Sequence, residues 1–260
     1  MPRVLGFIYG LVSYLIFFVT FLYAIGFVGN FGVPKSIDSG APISLTEALL
    51  IDVLLLGIFA LQHSVMARPR FKDWWTEYVP RVIERSTYVL LASLVLILLF
   101  WQWRPMLAVI WSVDNAIGRT ILWTLFGFGW SLVLLTTFLI NHFELFGLRQ
   151  VYLYLRGAEH NEIGFRTPFV YKVLRHPLML GFIIAFWSTP TMTLGHLVFA
   201  VGTTAYILIA IRIEEHDLVL VHGPRYEQYQ EEVSMILPFP KIKQAVPPKS
   251  DVRPFPRKWV

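Results

Sequence analysis

Polar and ionisable side chains of this chain concentrate at the ends of its apolar segments. Charged groups at membrane depth are costly, so residues of this kind are functional candidates by default. Neutral imidazoles offer acid–base catalysis, and carboxylates and guanidiniums offer binding of a charged ligand. The set comprises Gln62, His63, Arg68, Asn141, His142, Glu144, Arg149, His160, Arg175, His176, Arg212, Glu214, Glu215, His216 and His222.

A structural explanation competes for each of these residues taken singly. Arginine and lysine near helix ends extend their charged groups to the membrane surface, and glutamate and histidine cap helices or pair with cations. This explanation accounts less well for the whole set, because six of the seven histidines lie on the same side of the predicted membrane bundle.

Several other chemistries are excluded or disfavoured by the sequence. The absence of cysteine excludes thiolate metal sites and cysteine nucleophiles. His216 and His222 lie six residues apart, which is a poor helical pair, and we expect no metal. No Gly-x-Ser-x-Gly turn or phosphate-binding glycine loop occurs. The net charge of +5 comes without basic stretches interleaved with aromatics, so we expect no nucleic-acid partner.

The elements that must position these groups are membrane helices. The chain is 56% hydrophobic and 15% charged, and about 20 apolar residues cross a bilayer core. The first apolar segment lacks a cleavage pattern and is predicted to be a span rather than a signal peptide. Turn residues 188–196 divide the last segment into a helical hairpin. The sequence predicts an all-α polytopic bundle of about six spans, from residues 4–28, 48–61, 87–103, 120–140 and 177–211.

The distribution of cations orients this bundle. Of the 22 lysines and arginines, 19 fall before the first span, in the loops after spans two and four, or after the last span. Cytoplasmic loops carry the excess of cations, so both termini and the polar layer are predicted to be cytoplasmic, in a bacterial inner membrane.

A dense pattern lies in the last third of the chain. Arg175-His176-Pro177 with Gly181 precedes the hairpin, Glu214-Glu215 follows it, and Gly223, Tyr226 and Tyr229 come next, before Leu237-Pro238. This order over residues 175–238 resembles the isoprenylcysteine carboxyl methyltransferase and phospholipid methyltransferase superfamily of integral membrane enzymes. Met179 departs from the aromatic residue usual in that family, which puts a ring contact there in doubt.

Two earlier pieces narrow the resemblance to one branch. Residues 62–68 (QHSVMAR) follow the second span, and residues 141–150 (NHFELFGLRQ) follow the fourth. These are similar to the bacterial branch that contains the NnrU-like proteins and the methanethiol S-methyltransferases.

The resemblance implies S-adenosylmethionine as cofactor and methyl transfer to methanethiol, a small lipophilic thiol, as the reaction. The chemistry of the cofactor suits residues of the pattern: carboxylates accept from its ribose diol, and a helix N-terminus with a cation holds its carboxylate. Glycine permits close backbone approach, and a helix face of tyrosines would cover the ligand. The predicted cofactor-binding residues are Arg175, His176, Pro177, Leu180, Gly181, Glu214, Glu215, Tyr226 and Tyr229.

The thiol must lose its proton to become a good nucleophile. His63 and His142 are predicted to serve as the base or to polarise it, because imidazole titrates near the working pH. Asn141 and Glu144 complete the predicted catalytic set.

Three alternatives stay open at this point. A larger lipid or prenyl-cysteine substrate would need a wide lateral opening. A sterol-reductase-like oxidoreductase would bind NADPH, for which residues 212–229 offer only Arg212 and Arg225 as cations. An NnrU-like accessory protein would keep the fold without turnover. In each case we expect one transmembrane domain over residues 1–240, with its cofactor-binding cap on the cytoplasmic side, and an irregular tail over 241–260.

Overall fold

Long apolar helices account for most of the computed structural model, which describes residues 1–160 and 167–238. The predicted tail over 241–260 lies outside the described residues. Two short strands, β1 (Val109–Ser112) and β2 (Thr191–Thr193), and a 3-10 helix (Phe169–Lys172) accompany the α-helices. These are α1 (Arg3–Gly29), α2 (Leu45–Met66), α3 (Pro69–Trp75), α4 (Arg81–Gln102), α5 (Ala116–Ile140), α6 (His142–Leu145), α7 (Leu148–Arg156), α8 (Pro177–Trp187), α9 (Leu194–His222) and α10 (Pro224–Glu232).

Five of these helices, α1, α2, α4, α5 and α9, are long and apolar enough to cross a membrane. Their outer faces expose large apolar side chains such as Leu50, Leu61 and Ile117, which a bilayer would cover. The predicted fold class, a polytopic membrane helical bundle, is confirmed, and the chain is a multi-pass membrane protein.

The C-terminal hairpin differs from the prediction that both of its arms are spans. Its first arm, α8, has 11 residues, too few to cross a bilayer core of about 30 Å at 1.5 Å per residue. Its second arm, α9, has 29 residues, so its last turns extend past such a core. The turn between them contains β2, which pairs antiparallel with β1, a ribbon that the all-α prediction did not include.

Local sequence signals set several helix ends. The Ser44 side chain accepts a hydrogen bond from Glu47 N at the start of α2, and the Thr193 side chain accepts one from His196 N at the start of α9. Pro177 is the first residue of α8, where its missing N–H costs no hydrogen bond. Gly147 and Gly157 adopt positive φ angles at the two ends of α7.

The two ends of the bundle differ in composition. One end gathers α3, α6, α7 and α10 with the start of α8 and the last turns of α9, and we call it the polar end. The Arg68 to Asp217 ion pair (2.7 Å) and the Arg85 Nε to Leu145 O hydrogen bond (2.7 Å) join these pieces. The largest apolar core, which includes Phe27, Trp103 and Phe199, lies towards the opposite end. The largest apolar cluster therefore lies in one half of the bundle, and ion pairs such as that of Arg68 with Asp217 lie in the other.

Helices α5 and α8 approach each other backbone to backbone. A Cβ added at Gly129 would lie 2.6 Å from Ala185 N and 2.7 Å from Gly181 O. A Cβ added at Gly181 would lie 2.8 Å from Gly129 O. Small residues of this kind are what allow membrane helices to pack closely without a hydrophobic driving force between them.

Gly129→Ala is expected to destabilise the protein, because its methyl group would collide with the backbone of α8 rather than with a movable side chain. Gly127→Ala on the same helix is the matched control, since no atom lies within 4 Å of a Cβ there. That control should unfold at or slightly above the wild-type temperature, because alanine favours a helix over glycine by about 1 kcal/mol. Thermal unfolding in detergent checks both variants, and equal melting temperatures would contradict the packing described.

Candidate functional site

A buried ion pair lies at the centre of the polar end. Arg175 Nε is 2.6 Å from Glu215 Oε1, and His176 Nε2 is 3.0 Å from the same oxygen. Gln230 Nε2 donates to the other oxygen, Glu215 Oε2, at 3.1 Å. The side chains of Arg175, His176 and Glu215 are all buried. The carboxylate of Glu215 is therefore used on both oxygens by contacts within the protein.

The same arginine also binds the segment that follows α10. Arg175 Nη1 donates to Gln230 O at 2.9 Å and to Val233 O. The backbone adds two further bonds, from Arg175 N to Ser234 O (2.9 Å) and from His176 N to Met235 O (3.1 Å). The sequence indicates Arg175 as a cation for the cofactor carboxylate, but in the structure its Nε and Nη1 bind partners within the protein. Its cofactor role stays a prediction.

Glu214 has a different environment from its neighbour. Successive residues of a helix are separated by about 100° around its axis, so the two glutamates face different surroundings. The Glu214 side chain is 48% exposed, whereas that of Glu215 is 8% exposed. Glu214 Oε2 lies 3.9 Å from His176 Nδ1, too long for a hydrogen bond. This carboxylate is therefore available to a ligand.

Basic and aromatic side chains from several elements lie close enough to Glu214 to interact with it electrostatically. Arg68 and Arg85 are within range of electrostatic interaction with its carboxylate. The tyrosines in the same range come from α4, the 3-10 helix, α9 and α10, and are Tyr88, Tyr171, Tyr206 and Tyr226. An exposed carboxylate among aromatic rings is a suitable place for a cation or a polyhydroxylated ligand.

Three predicted cofactor residues of α8 have contacts that serve helix initiation and packing. Pro177 starts the helix and is buried, and Leu180 packs against the apolar cluster of Ile207 and Ile211. Gly181 faces the backbone of α5, so helix packing already accounts for the glycine. The structure places none of them beside Glu214 through a described contact.

The predicted tyrosine face of α10 exists, but it packs inwards. Tyr226, Tyr229 and Val233 form one buried cluster with Leu218 and Val219 of α9. Burial raises the pKa of Tyr229 to about 12, so its hydroxyl stays protonated. The rings therefore fasten α10 to α9, and a covering role over the ligand stays a prediction.

His63 lies on α2, beside the hydroxyl of Tyr88 from α4. The Tyr88 hydroxyl is 3.0 Å from His63 Nε2 and 3.1 Å from Nδ1. A hydroxyl donates only one proton, so one ring nitrogen stays available to another partner. The ring also stacks on Phe59, with centroids 5.2 Å apart. His63 is therefore held in position while one nitrogen keeps its capacity to accept a proton.

His142 is fully engaged by structural contacts. Its Nε2 is 2.9 Å from the Tyr14 hydroxyl, and its Nδ1 is 2.8 Å from Thr137 Oγ1, which donates to Leu134 O. Thr137 therefore accepts from His142 Nδ1–H, and Nε2 accepts from Tyr14. The ring stacks flat on Phe138 at 4.2 Å, and burial lowers its pKa. Both nitrogens are used, which favours His63 over His142 as the base.

Asn141 and Glu144 organise the turn after α5. Asn141 Oδ1 accepts from Glu144 N at 3.3 Å and caps α6. Glu144 pairs with Arg149 (2.6 Å) and His160 (2.7 Å), and Gln150 Nε2 donates to its backbone oxygen at 3.1 Å. These contacts stabilise the turn, and the predicted catalytic roles of both residues stay predictions.

Arg85 and Tyr88 of α4 connect the turn that contains His142 with His63 of α2. Arg85 Nε donates to Leu145 O beside the His142 turn, and its guanidinium lies 5.0 Å from the centre of the Tyr88 ring. Tyr88 in turn contacts His63. The sequence-based prediction missed both residues. Their spacing of three in the first turns of α4 was the available signal, since it places them on one helix face.

Metal ligation is not evident in the part of the chain that the structure describes. Within residues 1–160 and 167–238, no group of three or more histidines and acidic residues could hold a metal ion.

Comparison with known proteins assigns the family. A family model described as NnrU protein matches residues 51–237. The chain belongs to the NnrU family. The relatives of this NnrU-family chain include a methanethiol S-methyltransferase of Mycobacterium tuberculosis, 58% identical over 92% of this chain and 98% of the relative. A methanethiol S-methyltransferase of Pseudomonas deceptionensis is 54% identical over 91% of this chain and 90% of its own length. The resemblance to this branch is confirmed.

A more distant relative is Nurim of Bos taurus, 29% identical over 67% of this chain and 70% of its own length. No solved structure matches the chain significantly. The NnrU match over residues 51–237 thus includes both early segments, 62–68 and 141–150, and nearly all of the C-terminal pattern.

Glu215→Gln is expected to destabilise the protein by on the order of 3 kcal/mol, because it leaves Arg175 buried without its counter-charge. Glu214→Gln is the matched control, one residue away on the same helix and exposed, and should unfold near the wild-type temperature. Thermal unfolding in detergent measures both. Equal losses in the two variants would show that the glutamates share one role.

Proposed function

We propose that this NnrU-family protein is a membrane S-methyltransferase that converts methanethiol and S-adenosylmethionine to dimethyl sulfide and S-adenosylhomocysteine. The observation that carries the proposal is the available Glu214 carboxylate, which lies among tyrosines at the polar end where His63 also lies. The choice of acceptor is supported by relatives above 50% identity that are named methanethiol S-methyltransferase. The alternatives of a larger lipid substrate or an NADPH oxidoreductase have no comparable support.

The residues around Glu214 fit the proposed methyl donor. The carboxylate is exposed and can accept hydrogen bonds from ribose hydroxyls or an amino group. The ring of Tyr206, which is partly exposed, suits a sulfonium cation, because aromatic rings attract cations through their electron-rich faces. Glu215 and Arg175 hold α8, α9 and α10 together around this position. The bound donor supplies an electrophilic methyl group on its sulfonium sulfur.

His63 is the proposed base. Its position is set by Tyr88 and Phe59, and one ring nitrogen can take the thiol proton as the methanethiol sulfur forms its new bond to carbon. The bond from that carbon to the donor sulfur breaks at the same time, and the donor leaves as a neutral thioether. The apolar walls of the bundle suit a small lipophilic thiol, and removing water from the site favours the displacement.

The domain layout and location follow from the same proposal. We place one methyltransferase domain over residues 1–240, with residues 175–238 contributing the cofactor-binding cap. The polar end, which carries most of the cations, is the cytoplasmic face of a bacterial inner membrane. The donor would then enter from the cytoplasm and the thiol from the bilayer.

Purified wild-type protein incubated with S-adenosylmethionine and methanethiol is expected to release dimethyl sulfide, measured in the headspace by gas chromatography. Glu214→Gln should lower the yield by weakening donor binding, seen as a raised KM for S-adenosylmethionine. A folded wild-type sample that yields no dimethyl sulfide would contradict the proposed function. An unchanged KM in the variant would remove Glu214 from the donor site.

His63→Gln is expected to lower kcat by about 10²-fold or more, since a positioned general base contributes on that order. Affinity for S-adenosylhomocysteine should stay near the wild-type value, because the change removes the proton acceptor and not the donor site. His216→Gln is the control, an exposed histidine on α9. Calorimetric titration and initial rates measure the two effects, and a wild-type kcat in His63→Gln would rule out His63 as the base.

A further inference from the structure

The donor in the proposed function carries a carboxylate, and the residue that would bind it is not evident from the sequence pattern. Arg175 is buried, and it uses Nε on Glu215 and Nη1 on the carbonyls of Gln230 and Val233. Arg68, the next cation near Glu214, donates through Nη1 to Asp217 at 2.7 Å and through Nε to Ser64 O at 3.1 Å. Because Nη1 of both arginines is already used, neither offers both of its Nη nitrogens to the donor carboxylate.

Arg85 has a guanidinium that is positioned but only partly used. Nε donates to Leu145 O at 2.7 Å, which fixes the plane of the group. The Tyr88 ring lies against it, with 5.0 Å between the guanidinium carbon and the ring centre. Within residues 1–160 and 167–238, neither Nη1 nor Nη2 has a hydrogen-bond partner. These two nitrogens form the outer edge of the group, and such an edge binds a carboxylate with two parallel hydrogen bonds.

The surroundings of Arg85 match both charges of an α-amino acid. Glu214 lies within electrostatic range of Arg85 and reaches the same region from α9, whereas Arg85 comes from α4. An amino-acid group carries a carboxylate beside an ammonium, so a guanidinium and a carboxylate held on neighbouring helices complement it. A ligand with only one of these charges would leave the other side chain without a partner.

We propose that Arg85 binds the carboxylate of the amino-acid portion of the methyl donor, with Glu214 facing its ammonium group. This inference rests on the proposed function, because it takes an S-adenosyl amino acid as the ligand. It also places the donor beside His63, since Tyr88 contacts both Arg85 and His63. Binding of the amino-acid group would thus bring α4 and α9 together next to the base.

The test compares two nucleosides that differ in the amino-acid group. S-Adenosylhomocysteine carries it, and 5′-methylthioadenosine has the same adenosine and thioether without it. Their dissociation constants are measured by calorimetric titration on wild-type protein and on Arg85→Met, Arg85→Lys and Arg81→Met. Arg81 begins the same helix and is exposed, so Arg81→Met is the matched control.

Wild type is expected to bind S-adenosylhomocysteine at least tenfold more tightly than 5′-methylthioadenosine. Arg85→Met should remove this preference while leaving the affinity for 5′-methylthioadenosine unchanged, which also shows that the variant is folded. Arg85→Lys should keep part of the preference, because an ammonium binds a carboxylate without the paired geometry. Arg81→Met should behave as wild type.

A wild-type preference in Arg85→Met would overturn the inference and leave the proposed function intact. If Arg85→Met binds neither nucleoside, Arg85→Lys decides: a reduced preference with unchanged 5′-methylthioadenosine affinity supports the inference, and a wild-type preference overturns it. Wild-type protein that binds neither nucleoside would contradict the proposed function itself.

Discussion

The buried contact between Arg175 and Glu215 organises the polar end of this protein. Two charges taken out of water stabilise a fold only when their hydrogen bonds are satisfied, and here His176, Gln230 and backbone carbonyls supply the partners. The pair joins the start of α8 to the last turns of α9 and to the segment after α10. Those three pieces therefore hold one arrangement, and the available carboxylate of Glu214 is fixed at its edge.

Close packing in the rest of the bundle gives this arrangement a rigid support. The backbones of α5 and α8 meet at Gly129 and Gly181, so α8 has little freedom to slide or rotate. The aromatic core around Trp103 fills the opposite half, away from the ion pairs of the polar end. The short helix α8 packs against α5. The residues at its start contact the last turns of α9.

Residues of the same type have different roles at the polar end. Glu215 is consumed by structural hydrogen bonds, while Glu214 keeps its carboxylate for a ligand. The histidines divide similarly: both nitrogens of His142 bind within the protein, and His63 retains one. Methyl transfer from a sulfonium to a thiol requires mainly positioning and a proton acceptor. One member of each pair therefore builds the site, and the other supplies the chemistry that we propose.

The sequence by itself determined the membrane class, the extent of most spans, the family and the set of polar residues, because apolar length, charge distribution and motif order are local properties. Only the tertiary structure decided which of two adjacent glutamates is available, that both ring nitrogens of His142 are engaged within the protein, and that Arg85 and Tyr88 connect the segments 62–68 and 141–150. It also set the length of α8 and added the ribbon of β1 and β2. These features depend on which helix faces meet across long sequence separations, and such contacts leave no periodic signal in one chain.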